Sequence, residues 1–454
     1  MGKIMRVRIM HVVGVLLLVC TMISCSTHGQ DSLQTPVSLN NYQSPVFMGV
    51  VDSTLSEKYP FIHFEKNYFR FYTERSTNFE KLFFNLQQMI QFGDRKLNFY
   101  HIGGSHLQAD IYTHEMRTYL QTSWEGLKGE RGIIFPFDLA KTNNPWNYEF
   151  SSPNDWTSYR SPVNHNDTLE YGVLGAIVEC PDSLIQINFR YDKTKVKPGF
   201  DRIRIYHNRG KLPYEFNFGG DEIYVLRKQT NPIIGYTDVQ FTDQLESFEM
   251  YMSRDTIMDY KLQLLGFQLS NSEPGISYNT IGVNGAGLYT YLDCKLFEEQ
   301  LKQLPPDFFA FSVGTNDANV PYSKFRPEIY RANLDSMMSI VTRANPNCAI
   351  LLTVPNDSYY RRRYLNKNVA REREMIIQLA KKHEAAVWDF YGIMGELGSS
   401  KVWNRNRLMR KDLVHFTANG YRLKGDMFIE AFLKWIEQME LRQKQFYLEP
   451  HGEN

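Results

Sequence analysis

The sequence predicts an α/β protein in which a three-layer domain built on a parallel sheet is interrupted by an inserted β-sandwich. Short apolar runs alternate with segments of helical periodicity at both ends of the chain, which indicates a parallel sheet with helices on both faces. Between residues 147 and 272, helical periodicity is almost absent and short alternating stretches replace it. Glycine-rich turns follow two of the apolar runs, at the strand ends where open α/β sheets place their sites.

The composition excludes one class of partner. The chain has 454 residues, enough for two or three domains, and its 51 Lys and Arg residues almost balance its 50 Asp and Glu residues. It has no long basic run, so nothing in the charge pattern indicates binding to nucleic acid. The many Tyr and Phe residues would suit surfaces that stack on sugar rings, and they would equally suit an ordinary core.

The N-terminus predicts export. Basic residues precede an apolar run at residues 9–23, which is too short for a comfortable membrane span and is typical of a signal peptide. The run closes on Ser24-Cys25, which resembles the lipobox of bacterial lipoproteins, so residues 1–25 are predicted to be a lipoprotein signal peptide with Cys25 as the lipidation site. The alternative is a plain secretory signal in which Cys25 is an incidental thiol. Both interpretations export the chain.

Residues 26–75 are interpreted as a tether and N-terminal segment, because their first part is rich in Ser, Thr, Asn, Gln and Pro without periodicity.

The thiols that remain after the anchor are odd in number and give no disulfide framework: Cys180, Cys294 and Cys348. We expect buried structural thiols. Their spacing does not match a metal site.

Residues 76–146 are predicted to be the first part of the α/β domain. A helical pattern after Ser76 is followed by an apolar strand at 97–102, then by Gly103-Gly104-Ser105-His106, and then by a second helical pattern at 111–124. Ser105 therefore lies where a strand ends and a helix is about to begin. At such a turn the side chain is exposed, and backbone N–H groups can point at an anion beside it. Alternatively, Ser105 only caps the helix.

Residues 147–272 are interpreted as the inserted β-sandwich. Alternating stretches predict strands at 185–191, 203–206, 222–226 and 247–252. A sheet extension that belongs to the α/β domain itself is the alternative. The aromatic residues of the insert could dock a glycan, or the insert could only brace the parallel sheet.

Residues 273–445 resume the α/β pattern. Gly282 to Gly287 precede one helix carrying four leucines between positions 288 and 301, and a strand at 308–313 ends at Gly314-Thr315-Asn316-Asp317. Further strands at 349–354 and 386–388 alternate with helices at 327–343, at 370–383 and from about 420. Asn316 follows a strand as Ser105 does, so the two residues can converge.

Asp412 and His415 lie in a loop before the terminal helix. An Asp three residues upstream of a His can turn back to accept the imidazole N–H, which leaves the other ring nitrogen free as a base. Ser, His and a carboxylate are the minimum set for acyl transfer. As an isolated pair, Asp412 and His415 would more often be an ordinary loop hydrogen bond than a catalytic dyad.

Taken in order, these motifs resemble the four blocks of the SGNH (GDSL-like) hydrolases over most of residues 80–440: Gly103-Gly104-Ser105, then Gly285, then Gly314 to Asp317, then Asp412 and His415. The resemblance implies that Ser105, Asp412 and His415 form a catalytic triad. It implies an oxyanion hole made by the N–H groups of Ser105 and Gly285 and the Asn316 side chain. The family usually has Asp before the nucleophile, where this chain has Gly104.

Within that family, residues 102–110 look most like peptidoglycan O-acetylesterases and related lipoproteins, which carry a carbohydrate-binding-like β-domain between the first two blocks. The resemblance implies a serine esterase that removes O-acetyl groups from a cell-envelope glycan, either peptidoglycan or another acetylated polysaccharide. It implies no metal or organic cofactor. With the lipid anchor, it implies a location at the periplasmic face of the outer membrane or at the cell surface.

Two other functions remain open: a glycan O-acetyltransferase with the same machinery, and a non-catalytic glycan-binding lipoprotein. Residues next to the blocks have ordinary explanations. We expect His106 and Asp110 to hydrogen-bond around the nucleophile and to cap the next helix, and Asp389 to cap another helix. Asn319 and Thr417 could touch substrate or only solvent, and the arginines at 361–363 are interpreted as a solvated surface.

Overall fold

The computed structural model describes residues 53–164, 168–219, 224–257 and 259–448. The predicted signal peptide, its Cys25 and the first half of the predicted tether lie outside these ranges. Among the described residues, no helix is both long and apolar enough to cross a bilayer.

The described helices alternate with strands at both ends of the chain. They are α1 (Ser53–Lys58), α2 (Thr77–Phe92), α3 (Ser105–Gln108), α4 (Tyr112–Thr122), α5 (Leu288–Leu292), α6 (Phe297–Gln303), α7 (Pro327–Ala344), α8 (Asn368–His383), α9 (Phe390–Met394), α10 (Ser399–Arg405) and α11 (Ala418–Leu448), with 3-10 turns at Phe64–Lys66 and Tyr322–Lys324. The strands are β1 (Lys96–Gly103), β2 (Gly132–Ile134), β3 (Tyr148–Ser151), β4 (Thr157–Arg160), β5 (Ala176–Cys180), β6 (Leu184–Tyr191), β7 (Phe200–His207), β8 (Glu215–Phe218), β9 (Val225–Asn231), β10 (Tyr236–Leu245), β11 (Ser247–Ser253), β12 (Leu262–Ser270), β13 (Gly275–Gly282), β14 (Phe308–Ser312), β15 (Ala349–Thr353), β16 (Tyr359–Tyr360), β17 (Tyr364–Leu365) and β18 (Ala386–Trp388).

Five strands form the predicted parallel sheet, in the order β13-β1-β14-β15-β18. β1 is an interior strand and pairs in parallel with both neighbours, so that Gly103 lies opposite Gly282 on one side and Ser312 on the other. Parallel strands in this register end together, and the three loops that follow them therefore meet at one edge of the sheet.

The sheet is buried on both faces, because alternate residues of each strand enter different cores. Phe99 and Phe308 pack with helices α2, α4 and α11 on one face. Tyr100 and Phe309 stack with ring centroids 5.8 Å apart on the other face, where α5 to α8 and the inserted β-strands lie. The sheet and its two covering layers form the predicted three-layer arrangement.

The inserted region is a sandwich of two antiparallel sheets. One sheet has the order β4-β5-β12-β7-β10-β9, with β2 also paired to β12, and the other has the order β3-β6-β11-β8. Aromatic rings cross between them: Phe150 of β3 stacks on Phe267 of β12 with centroids 5.2 Å apart. The sandwich takes in β2, which precedes residue 147, and it shares one continuous core with the parallel sheet.

Most aromatic side chains of the sandwich belong to that shared core, including Phe189, Phe200 and Phe248. Tyr224 is a clear exception, with 65% of its surface exposed. These aromatics therefore stabilise the fold, and they do not form the broad exposed platform that a sugar-stacking surface needs.

Two sequence predictions fail in detail. The helix expected between 288 and 301 is broken into α5 and α6, because the N–H of Leu296 donates to the carbonyl of Tyr171 in the insert, 3.0 Å away. The strand expected at 222–226 begins at Val225 and continues to Asn231, and residues 220–223 lie outside the described ranges.

A buried carboxylate joins the segment after Ser105 to the sandwich. Asp110 accepts hydrogen bonds from Thr113, Arg117, Arg131 and Asn147 at 2.5–3.1 Å, and Arg131 and Asn147 directly precede β2 and β3. Burial alone would raise the pKa of Asp110, but the charges of Arg117 and Arg131 outweigh it and hold this pKa well below its usual range. Asp110 is therefore ionised and bonded from several sides.

Replacing Asp110 by Asn should destabilise the fold by about 3–5 kcal/mol, because it leaves two buried guanidinium groups without their carboxylate. Since the pKa of Asp110 is lowered on folding, its stabilisation is present above the unfolded pKa and is lost as the pH falls through the folded value. Denaturant unfolding at neutral and acidic pH measures both effects. Asp94→Asn is the matched control, because Asp94 forms an exposed pair with Arg95. Equal losses in the two variants would contradict this role.

Candidate active site

Ser105 lies at the first position of α3, and only Gly104 separates it from the end of strand β1. The two residues before it must be small. A side-chain carbon on Gly103 would come within 2.8 Å of the Ser312 carbonyl oxygen and 2.7 Å of Leu107. The Gly103 carbonyl also accepts a 2.6 Å hydrogen bond from the buried Tyr291 hydroxyl. The glycine pair thus allows the strand to turn sharply and present Ser105 at the sheet edge.

The structure brings Ser105, His415 and Asp412 into one hydrogen-bonded chain. Ser105 Oγ lies 2.8 Å from His415 Nε2, and His415 Nδ1 lies 2.9 Å from Asp412 Oδ2. An ionised carboxylate can only accept, so Nδ1 carries the proton and Nε2 is free to accept from the Ser105 hydroxyl. This is the arrangement of a nucleophile, a base and the group that orients the base.

The loop that carries the pair is tightly folded. The other Asp412 oxygen accepts the backbone N–H groups of Val414 and His415, each at 2.9 Å, and Leu413 has a φ of 58°. Burial alone would raise the pKa of Asp412, but these backbone hydrogen bonds and the bond to the His415 ring outweigh it, so the pKa lies below its usual range. Asp412 is therefore ionised wherever His415 works as a base.

The predicted oxyanion residues line the same cavity as Ser105. Gly285 has a φ of 87°, a conformation that favours glycine. The Asn316 Nδ2 group donates one hydrogen to the carbonyl of Ala286 at 2.8 Å, which fixes the amide and leaves its second hydrogen for another acceptor. Asp317 links the loop after β14 to the loop after β13, because its carboxylate accepts the backbone N–H of Leu288 at 3.1 Å.

Gly104, which stands where the family usually has Asp, has a steric explanation. A side-chain carbon at this position would lie 2.9 Å from Asn316 Nδ2 and 3.2 Å from the Ala286 carbonyl oxygen. The amide of Asn316 occupies the space that a side chain would need. The bonded triad and the fixed Asn316 amide therefore coexist with glycine at this position.

His106 and Asp110 are not a second base system. His106 is 6% exposed, its Nδ1 pairs with the Tyr421 hydroxyl at 2.9 Å, and its ring lies 5.2 Å from that of His415. Burial and the nearby charge of Lys424 hold the pKa of His106 well below its ordinary value, so it is neutral. The expected helix cap is wrong, because Ile111 occupies the N-cap of α4 and no side chain caps it.

The expectations about other neighbouring residues have different outcomes. Asn319 lines the cavity, whereas the Thr417 hydroxyl bonds the Arg407 carbonyl at 2.8 Å. Asp389 caps α9, as predicted. The free thiols of Cys180, Cys294 and Cys348 are all buried, also as predicted.

Sequence reasoning missed several residues of the site. Gln108 bridges two loops, accepting the Asn284 N–H at 2.7 Å and donating to the Asn143 carbonyl at 2.8 Å. Its position one turn after Ser105, on a four-residue helix, was the available signal. The cavity has a volume of about 430 Å³ and is lined by Ser105, Ala109, Asn143, Asn284, Gly285, Asn316, Asn319, Tyr359, Arg361, Arg362, Arg410, Asp412, Val414, His415 and Tyr421.

Comparison with protein families matches residues 260–423 to the GDSL-like Lipase/Acylhydrolase family. The matched segment contains Gly285, Asn316, Asp412 and His415, and Ser105 precedes it. Comparison with curated protein sequences gives no match.

Among solved structures, a peptidoglycan O-acetylesterase is similar to 79% of this chain and 96% of its own chain, with 18% identity and a TM-score of 0.64. A lipase/acylhydrolase from Enterococcus faecalis overlaps 35% of this chain and 76% of its own, with 19% identity and a TM-score of 0.27. An acetyl xylan esterase overlaps 34% and 81%, with 18% identity and a TM-score of 0.29. The SGNH hydrolase fold with an inserted β-domain is confirmed.

Replacing Gly104 by Ala should lower the turnover of a small acetyl ester by roughly two to three orders of magnitude, because the new methyl group displaces the Asn316 amide. In an Asn316→Ala background the same change should have little further effect, since the crowding amide is gone. Steady-state kinetics of both single variants and the double variant measure the coupling. Purely additive losses would show that Gly104 acts without Asn316.

Proposed function

We propose that this chain, which has the fold of the SGNH hydrolases, is a serine esterase that removes O-acetyl groups from a cell-envelope glycan. The observation that carries the proposal is the continuous chain of hydrogen bonds from Ser105 through His415 to Asp412, in a cavity also lined by Gly285 and Asn316. A nucleophile, its oriented base and oxyanion donors are the parts that acyl transfer requires.

In the proposed mechanism, His415 Nε2 takes the Ser105 proton while Oγ forms a bond to the acetyl carbonyl carbon. The carbonyl electron pair moves to the oxygen, where the N–H groups of Ser105 and Gly285 and the Asn316 amide stabilise the negative charge. The bond to the sugar oxygen then breaks, and His415 returns the proton to that oxygen. Asp412 stabilises the imidazolium while it carries the proton.

Deacylation repeats these steps with water as the nucleophile. His415 takes a proton from water as the water oxygen attacks the acetyl-Ser105 ester, and this proton then returns to Ser105 Oγ as the ester bond breaks. The product leaves as acetic acid, which loses its remaining proton to solvent and becomes acetate. The proposed steps use side chains and backbone groups of this chain alone, without a cofactor.

The proposed substrate class rests on similarity. The solved structure with 96% of its chain covered is a peptidoglycan O-acetylesterase, so acetylated peptidoglycan is the first substrate to test and other acetylated polysaccharides follow. A lipid anchor at Cys25, and with it a place at the outer membrane or cell surface, is part of this proposal. The bonded triad argues against the non-catalytic alternative, in which the site would have decayed.

Replacing Ser105 or His415 by Ala should abolish acetate release, with losses of about a millionfold, because nucleophile and base act as one unit. Asp412→Asn should cost less, about ten-thousand-fold, because it favours the His415 tautomer that cannot accept the Ser105 proton but leaves a minor fraction in the usable tautomer. Acetate release from acetylated peptidoglycan and acetylated xylan, measured side by side on purified protein, tests both expectations. Near wild-type rates in the Ser105 or His415 variant, with the thermal unfolding unchanged, would refute the mechanism.

Replacing Asn316 by Ala should lower kcat by roughly two to three orders of magnitude, the effect of losing one oxyanion donor. KM should change little, because the amide acts mainly on charge that develops in the transition state. Steady-state kinetics on a small acetyl ester separate the two constants. A large rise in KM at unchanged kcat would identify Asn316 as a ground-state contact instead.

A further inference from the structure

Three arginines stand at the cavity that holds Ser105. Arg361, Arg362 and Arg410 are exposed, and all three line the cavity. Asp412 is the acidic residue of the lining, and its carboxylate is already bonded to His415 and two backbone N–H groups. The lining therefore carries three positive charges and one negative charge, although the whole chain has a net charge of only +1.

The arginines have no carboxylate of their own. Within the described ranges, none of the three makes a side-chain ion pair, whereas Arg117, Arg204 and Arg343 each pair with an acidic side chain. An unpaired guanidinium at a cavity mouth can still bind a carboxylate through two parallel hydrogen bonds.

The backbone beneath two of them is strained. Arg361 and Arg362 have φ values of 51° and 59°, and the Arg363 N–H closes the turn on the Tyr360 carbonyl at 3.1 Å. Two consecutive positive φ angles are the signature of a hairpin turn that favours Asn and Gly. Two arginines occupy these positions in spite of their conformational cost, which indicates that their side chains serve something other than the turn.

The turn is fixed relative to the catalytic loop. The Tyr359 N–H donates to the Leu413 carbonyl at 3.2 Å, and the Asn356 amide donates to the Val414 carbonyl at 3.3 Å. Arg410 belongs to the catalytic loop itself, because its backbone N–H donates to the His415 carbonyl at 2.8 Å. All three arginines are therefore held near the reacting ester, on rigid neighbours of the base.

We propose that Arg361, Arg362 and Arg410 select an acidic glycan, by binding a carboxylate that lies close to the acetyl ester being cleaved. This inference rests on the proposed esterase function and deepens it. It favours acetylated glycans that carry carboxylates, which peptidoglycan has on its peptide stems and acidic polysaccharides have on uronic acid residues. A neutral acetylated chain lacks the group that the arginines bind.

The test compares the full-length protein with the double variant Arg361→Gln/Arg362→Gln and with Arg410→Gln. Arg363→Gln is the matched control, because Arg363 belongs to the same basic run but does not line the cavity and packs over Tyr364. The substrates are acetylated peptidoglycan, acetylated polygalacturonate and acetylated xylo-oligosaccharides without uronic acids.

The ratio of kcat/KM for acidic over neutral substrate should fall roughly ten- to hundredfold in the cavity variants, mainly through KM, and should stay unchanged in Arg363→Gln. Added salt should weaken the preference in the wild type more than in the variants. The acidic substrate that responds identifies the source of the carboxylate. An unchanged ratio, or an equal loss in Arg363→Gln, overturns the proposal.

A glycine version separates selectivity from folding. Arg361→Gly/Arg362→Gly should raise the melting temperature, because glycine adopts positive φ without strain, while the acidic preference still falls.

Binding of de-acetylated acidic oligosaccharides to the Ser105→Ala protein, measured by calorimetry, tests the arginines even if wild-type protein releases no acetate. Binding that weakens roughly tenfold or more with the cavity substitutions supports the proposal. In that case a lack of esterase activity refutes the proposed function alone. Binding that is absent, or that ignores these substitutions, refutes the arginine site.

Discussion

The parallel register of β1 with β13 and β14 is the constraint on which the site depends. Because Gly103, Gly282 and Ser312 lie side by side, the loops that follow them leave the sheet together. Ser105, Gly285 and Asn316 are far apart in sequence, yet they line one cavity for this reason. Close packing at the turn follows, and it leaves no room for a side chain at either Gly103 or Gly104.

Charge is handled in two opposite ways within this molecule. In the interior, Asp110 pairs with both Arg117 and Arg131, because an unpaired buried charge would cost several kcal/mol. At the cavity mouth, Arg361 and Arg362 are solvated, and their lack of an acidic partner among the described residues costs the fold little. The charges of Arg361 and Arg362 are therefore available to bind a ligand. The charge of Asp110 is already used in hydrogen bonds that hold the sandwich against the parallel sheet.

The sandwich is structurally continuous with the α/β domain and is not a separable appendage. Its apolar residues join the core on one face of the parallel sheet, the Leu296 N–H bonds the Tyr171 carbonyl, and the Val173 N–H bonds the Gln300 side chain at 2.9 Å. Most of its aromatic side chains are buried in this core. Recognition of a polymer therefore has better support at the arginine-lined cavity than on the surface of the sandwich.

Local sequence was sufficient for the strands and helices that flank the site and for the three residues that the fold joins in one hydrogen-bonded chain, Ser105, His415 and Asp412. Periodicity, glycine turns and the order of Ser105, Gly285, Asn316, Asp412 and His415 are written in short stretches of chain, so they could be read directly. The strand predicted at 386–388 has those bounds in the structure, and the helix predicted at 327–343 ends one residue later, at Ala344.

Other features depend on contacts between residues that are distant in sequence, and no local pattern encodes them. Four features are of this kind: the packing of Asn316 against Gly104, the hydrogen bonds that converge on Asp110, the break between α5 and α6, and the position of Arg361 and Arg362 at the cavity. In the sequence, the basic run at 361–363 resembled an ordinary solvated surface. Its turn docks against the loop of His415 through hydrogen bonds between backbone and side-chain groups of separate segments, and only the packed fold creates that proximity.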